Sequence, residues 1–276
     1  MTTLRTMVRH TMERSPLAPA VTTYERWRRS KARARLHRYP WVTTPSGTEL
    51  SVDPDDDRAV TLCVTGGCMD HDLRALWNDL ATVLQPSVIL DVGANYGDVS
   101  LDATYPDGSE LHLFEPNERC LSHLRRSLDR WSGPSATLHS CALGDRDGDS
   151  LFAVHPTNSG LSSLAEASEG AAQRVPVRRL DSIIPHSIGR CLVKIDAEGF
   201  DTRVLIGLQD LVCEQLVVVM EFCHSSETSL LGVGENYRCF VRERGVVKPL
   251  SEVTPVALVR LRQNPRFLKD CVLLRK

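Results

Sequence analysis

Residues 88–98 read VILDVGANYGD: a short apolar strand carrying one acid, Asp91, runs straight into a turn in which three residues separate Gly93 from Gly97. Glycine takes backbone conformations closed to other residues and lets a ligand approach the main chain. A strand that ends in such a turn is how nucleotide-binding α/β sheets begin, with the ligand beyond the carboxyl ends of the strands. A dinucleotide fingerprint requires G-x-G-x-x-G, whereas Ala94, Asn95 and Tyr96 fill the interval here, which disfavours NAD. Asp91 would repel a pyrophosphate and suits an ammonium or a hydroxyl.

These preferences suggest S-adenosylmethionine. A second strand, ELHLFEP, ends at Glu115, 22 residues beyond Gly93. An acid at about that distance hydrogen-bonds ribose hydroxyls in doubly wound sheets, a feature that nicotinamide and methyl-donor sites share.

A chain of 276 residues can hold one large α/β domain with a short appendage. It contains no stretch of 18 uncharged apolar residues, and Arg5, Arg9 and Arg14 precede no apolar signal core, which leads to the expectation of a cytoplasmic protein. The nine cysteines form no C-x-x-C pair and read as small buried hydrophobes. The net charge of −2 conceals an asymmetry, because residues 1–40 carry ten Lys and Arg against Glu13 and Glu25, while the remainder carries 23 against 33 acids. The basic arm, with YERWRRSKARARLHRY at 24–39, could lie on an anionic membrane surface or touch RNA. The preferred reading is a helical arm that packs on the domain or on a second subunit. None of the site elements lies in it, so donor binding is expected to survive its removal.

Two divisions follow: the arm, 1–40, and a catalytic domain, 41–276, made of a leading hairpin and helix (41–86), a core (87–224) and C-terminal elements (225–276). In the hairpin, TELSVD and AVTLCVT are the expected strands, with DPDDD as their turn. A helix is expected from Asp70 to about Leu84, ended by Gln85-Pro86. Strand VILDV then leads to a helix near 97–105, and ELHLFE to one near 117–131. ATLHSCAL, SLFAV and RVPVRRL read as further strands, and CLVKIDAEGF as a strand and turn before a helix near 201–211. The apolar run QLVVVMEF reads as a central strand, followed by a helix near 235–244, weak strands near 253–262 and a last strand KDCVLLRK. This alternation predicts a Rossmann-like, doubly wound, mostly parallel sheet.

Five segments, ILDVGANYG, LFEPN, CALGD, NSGLSSL and VKIDAEGFDTRVLIGL, together resemble the FkbM-type methyltransferases over roughly residues 66–224. The resemblance implies a class I fold, S-adenosylmethionine as cofactor, and O-methylation of a hydroxyl on a sugar, glycolipid or secondary metabolite. It puts the methionine part of the donor beside Asp91, Gly93, Ala94, Asn95 and Gly97, the ribose on Glu115 with Pro116, and the adenine along Ala142-Leu143-Gly144-Asp145. Asn158, Ser162 and Ser163 would lie near the donor or the acceptor.

Methyl transfer to an alcohol requires an acceptor oxygen held in line and a group that takes its proton. Asp196 and His224 are the candidates, because both follow strands whose carboxyl ends face the ligand. Lys194 shares a strand face with Asp196; it could bind a carboxylate or phosphate, but the preferred reading is an ion pair with Asp196 or Glu198, and Glu198 is read as a cap on the next helix. Asp196, Glu221 and His224 could surround a divalent ion, but spacing alone does not establish one and no metal is expected. The competing reading is an RNA-directed methyltransferase or a nucleic-acid-binding module guided by the arm. It is weakened by an acidic core and by the absence of an N-P-P-Y tetrapeptide.

Overall fold

The computed structural model describes residues 18–164, 172–184, 187–221, 236–243, 246–249 and 270–275. Five helices are described: α1 (Ala18–Arg38), α2 (Asp57–Val64), α3 (His71–Leu84), α4 (Glu118–Leu128) and α5 (Asp201–Gly207). The strands are β1 (Trp41–Thr43), β2 (Glu49–Ser51), β3 (Val88–Val92), β4 (Glu110–Phe114), β5 (Ser135–His139), β6 (Ala142–Leu143), β7 (Gly148–Ala153), β8 (Ser163–Leu164), β9 (Ala172–Arg178), β10 (Ser187–Ile195), β11 (Val212–Glu221), β12 (Tyr237–Glu243), β13 (Val246–Pro249) and β14 (Asp270–Arg275).

Eight strands form the central sheet in the order β13-β12-β14-β11-β10-β3-β4-β5. From β5 to β11 every neighbour is parallel, and β14 is antiparallel to both β11 and β12. Order reverses between β3 and β10, the switch point at which open α/β sheets bind ligands. All five residues of β3 are buried, as a central parallel strand requires. Val88, Leu90 and Val92 face a core layer containing Val204, Leu205 and Leu208, while Ile89 faces one containing Leu62, Trp77 and Leu124. A second sheet, β6-β9-β7-β8, covers one end of the site.

The expected hairpin of TELSVD with AVTLCVT is corrected. Residues 49–51 pair with 41–43, and AVTLCVT lies in α2, whose N-cap Asp56 accepts the Arg58 amide. The helix expected near 97–105 is a series of turns. Its polar side chains bond elsewhere: Ser100 Oγ donates to Asp91, Asp98 accepts from Arg58, and Asp102 accepts from Arg74 and from the Ser46 amide. The strand ATLHSCAL divides between the two sheets at residues 140–141. Residues 237–243 form β12 where a helix is expected near 235–244, because they complete the ladder beside β14. The strands expected near 253–262 lie outside the described residues.

Helix α3 agrees closely with expectation: Asp70 caps its start, Gln85 takes a left-handed conformation (φ 50°) at its end, and Trp77, Ala81 and Leu84 are buried. Helix α1 lies along α2. Arg29 and Arg33 donate to Asp57 at 3.1 and 2.8 Å, Arg28 donates to the Val64 carbonyl, and Leu36 is buried. Tyr24 and Trp27 on the same helix are exposed. Among the described residues no helix is long and apolar enough to cross a membrane.

Candidate active site

The turn after β3 is built for close approach. Gly93 has φ +76°, and a Cβ there would sit 1.9 Å from the Asp196 carbonyl oxygen, so the turns after β3 and β10 can touch only through glycine. The Gly93 and Ala94 amides donate to the Phe114 carbonyl. Asn95 is left-handed (φ 51°), donates its amide to Glu115 Oε2 at 2.6 Å, and hydrogen-bonds through its side chain to Ser159 Oγ at 3.1 Å.

Glu115, just past β4, is buried, and its Oε1 accepts the Asn117 amide at 2.8 Å. Burial raises its pKa to about 7, against the lowering effect of the amides of Asn117 and Asn95. When ionised it is a two-oxygen acceptor with lone pairs to offer a ligand.

Asp91 and Lys194 are cross-strand neighbours on β3 and β10. Nζ donates to Asp91 Oδ1 at 3.0 Å and to the Gly93 carbonyl at 3.3 Å, and lies 3.6 Å from Asp196 Oδ2. Burial works against the ammonium, but Asp91 and Asp196 outweigh it and hold its pKa above the ordinary value. The closest partner of Lys194 is therefore Asp91, and the expected pair with Asp196 is present beside it. Both oxygens of Asp91 are engaged, by Lys194 and Ser100.

After β10 the chain turns sharply. Asp201 accepts the amides of Ala197 and Gly199, both at 3.0 Å, and so fixes the KIDAEG turn. The reading of Glu198 as the helix cap is corrected: Glu198 precedes α5 in a left-handed conformation (φ 44°), while α5 begins after Phe200.

A cleft of about 590 Å³, counting the part open to solvent, lies beyond these strand ends. Gly93, Asn95, Glu115, Pro116, Ala142, Leu143, Ser162 and Asp196 line it, so eight of the sequence-derived site residues meet there. Asp91, Ala94, Gly97 and Asp145 do not: Ala94 and Gly97 shape the turn, Asp91 is occupied by Lys194, and the Asp145 carbonyl accepts from Arg179. His224 lies outside the described residues, and the side chain of Glu221 is not described. Among the described residues no cluster of His, Cys, Asp and Glu could hold a metal ion.

Sequence reasoning missed Arg58, Phe114, Phe152, Ser159 and Leu164, which also line the cleft. Asn158 instead caps the short turn at 159–161, accepting the Gly160 amide. The usable signal for Arg58 was Asp56, an acid two residues before it that starts a helix.

A second cavity, of about 970 Å³ counting the part open to solvent, lies on the α3 side of the same strand ends. Met69, Leu73, Val99, Val219 and Met220 give it an apolar wall, and Arg74, Asp98 and Lys194 a polar one. Arg58, Asp196 and Glu198 line both cavities.

This strand order, with one antiparallel strand set beside β11 and a cleft at the β3/β10 switch, is a Rossmann-like fold of the class I methyltransferase type. Residues 91–239, more than half of the chain, match the family described as Methyltransferase FkbM domain, and the chain belongs to that family. It is 28% identical over 172 residues, 53% of this chain and 69% of the relative, to "Methyltransferase 1" of Beauveria bassiana. It is 24% identical over 205 residues to the AMB antimetabolite synthetase AmbE of Pseudomonas aeruginosa, covering 59% of this chain and 10% of that protein. Among solved structures, the O-methyltransferase TomG of Streptomyces achromogenes, in complex with its donor, aligns with TM-score 0.43 and 11% identity over 76% of this chain and 82% of that one.

The protein is a methyltransferase, and its methyl donor is S-adenosylmethionine. The cleft fits that molecule chemically: an apolar wall of Phe114, Leu143, Phe152 and Leu164, a buried carboxylate and a guanidinium match an aromatic base, a diol and an amino acid joined in one ligand.

Proposed function

We propose that the protein transfers a methyl group to a hydroxyl of a small molecule or glycan, such as a sugar, glycolipid or secondary metabolite. The observation that carries this is the meeting of two cavities at Asp196, one suited to the donor and one amphipathic and able to take an acceptor. In this reading Glu115 accepts the ribose hydroxyls, Gly93 and Asn95 pass close to the methionyl chain, and Pro116, Leu143 and Ser162 flank the adenosine. The donor supplies an already activated methyl group, so the protein has to align the acceptor and exclude water.

Asp196, one-third exposed at the junction, takes the proton that the alcohol loses. His224, three residues beyond β11 in sequence, is the alternative acceptor for that proton. A nucleic-acid acceptor has less support, since Arg28, Arg29 and Arg33 of the basic helix bond to α2.

Calorimetry with S-adenosylmethionine and NAD, followed by transfer of labelled methyl to a panel of hydroxylated and non-hydroxylated acceptors, tests the proposal. Donor binding with label appearing on alcohols is the expected result. Saturable NAD binding with no heat from the donor would overturn it, and label on nitrogen acceptors alone would overturn the hydroxyl assignment.

A further inference from the structure

Arg58 belongs to α2, outside the segment that matches the family. Its placement is nonetheless tightly determined. Asp56, fully buried, accepts the Arg58 and Ser159 amides through Oδ1 and the Tyr96 hydroxyl through Oδ2, so one carboxylate ties α2 to the glycine turn and to the loop at 158–162. Arg58 Nη2 donates to Asp98 Oδ1 at 3.3 Å. A Cβ on Gly160 would come within 2.8 Å of Nη1, so glycine there leaves room for the guanidinium.

Two further facts mark this side chain. Nε is buried and has no hydrogen-bond partner among the described residues, so the guanidinium is only partly satisfied by the protein. Among the described residues that line the donor cleft, Arg58 is the single cation, set against Glu115, Asp196 and Glu198. The donor's amino-acid end carries a carboxylate. Entering a cleft with three acids, that carboxylate needs a positive partner with N–H groups to offer, and a guanidinium presents such groups in a fork that matches it.

Resting on the donor reading above, we infer that Arg58 binds the carboxylate of S-adenosylmethionine, so that the segment ahead of the family domain completes the donor site. Asp98 then acts as a positioning residue, since it holds one edge of the guanidinium through Nη2.

The test compares two nucleosides by calorimetry. S-adenosylhomocysteine has the amino-acid carboxylate, and 5′-methylthioadenosine has the same adenosine and sulfur without it. Arg58→Met should weaken S-adenosylhomocysteine by about 10- to 100-fold, the usual loss for a charge-assisted pair, while leaving methylthioadenosine within about twofold. Arg58→Lys should recover part of the loss. Retained methylthioadenosine binding also reports that the variant is folded. Equal weakening of both nucleosides would overturn the inference and make Arg58 structural, as would unchanged affinity for both. Wild-type protein that binds neither nucleoside would overturn the donor reading itself, a result distinct from any defect confined to the variant.

Discussion

Lys194 and Asp91 stand side by side on neighbouring parallel strands, 3.0 Å apart and almost wholly removed from solvent. A buried pair of this kind is weak evidence of net stabilisation, but breaking it strands a charge in the core. Lys194→Met should therefore lower stability by about 3–5 kcal/mol, measured by urea denaturation. The double variant Lys194→Met/Asp91→Asn should recover much of that loss. A single variant within about 1 kcal/mol of wild type would show that Asp91 finds another partner or takes up a proton at little cost.

Glu115 gives a pH dependence. Its pKa in the folded, unliganded protein is raised to about 7 by burial, so it is largely protonated at pH 6 and largely ionised at pH 8. The ionised form offers both oxygens as acceptors to a diol, so donor affinity should fall as pH drops below 7, approaching tenfold per unit. Glu115→Gln should bind more weakly at pH 8 and lose the slope. The same shift has a stability consequence of known sign: the folded state holds this proton more tightly than the unfolded chain, so the contribution is complete below 4.5 and is lost as pH rises through about 7. A flat affinity profile from pH 6 to 8 would remove Glu115 from the diol.

Asp196→Asn keeps the size of the side chain and removes its basicity. Single-turnover rates should fall by about 100-fold or more, in the range for a lost general base, with S-adenosylhomocysteine affinity changed less than threefold. Rate losses fully explained by weaker donor binding would instead make Asp196 a donor ligand.

The basic helix bears on the site indirectly. Arg29 and Arg33 grip Asp57, the first residue of α2, and Arg58 is the next in sequence. Contrary to the expectation from motifs alone, removal of residues 1–40 should weaken S-adenosylhomocysteine by about threefold to tenfold, through a looser Arg58, and spare methylthioadenosine. Unchanged affinity in a monodisperse truncated protein would show that Asp56 alone holds α2.

The sheet was legible because its central strands are continuous apolar runs and its glycine turn has one steric explanation. Gly93 reports directly on the approach of the 196 carbonyl. The segment 59–65 was less legible, since its Val, Thr and Leu content favours a strand, and the cap that makes it a helix sits within an acidic run that reads equally well as a turn. The turns at 97–105 escaped prediction for a related reason: carboxylates that look solvated in sequence are bonded to Arg58 and Arg74, residues 28 to 40 positions away. Half of the cleft wall comes from such distant elements. Phe152 and Leu164 belong to the second sheet, and no local periodicity brings them to β3.

The position of β14 between β11 and β12 fixes a sequence of events during synthesis. In the native sheet residues 237–241 pair on their inner side with residues 271–275, so the ladder of β12 cannot close until those residues are available. Through that interval β11 presents an open, apolar edge next to the nascent site. An uncovered strand edge is a template for wrong pairing, so a translational pause ahead of residue 270 would lengthen the time for which misassembly can compete.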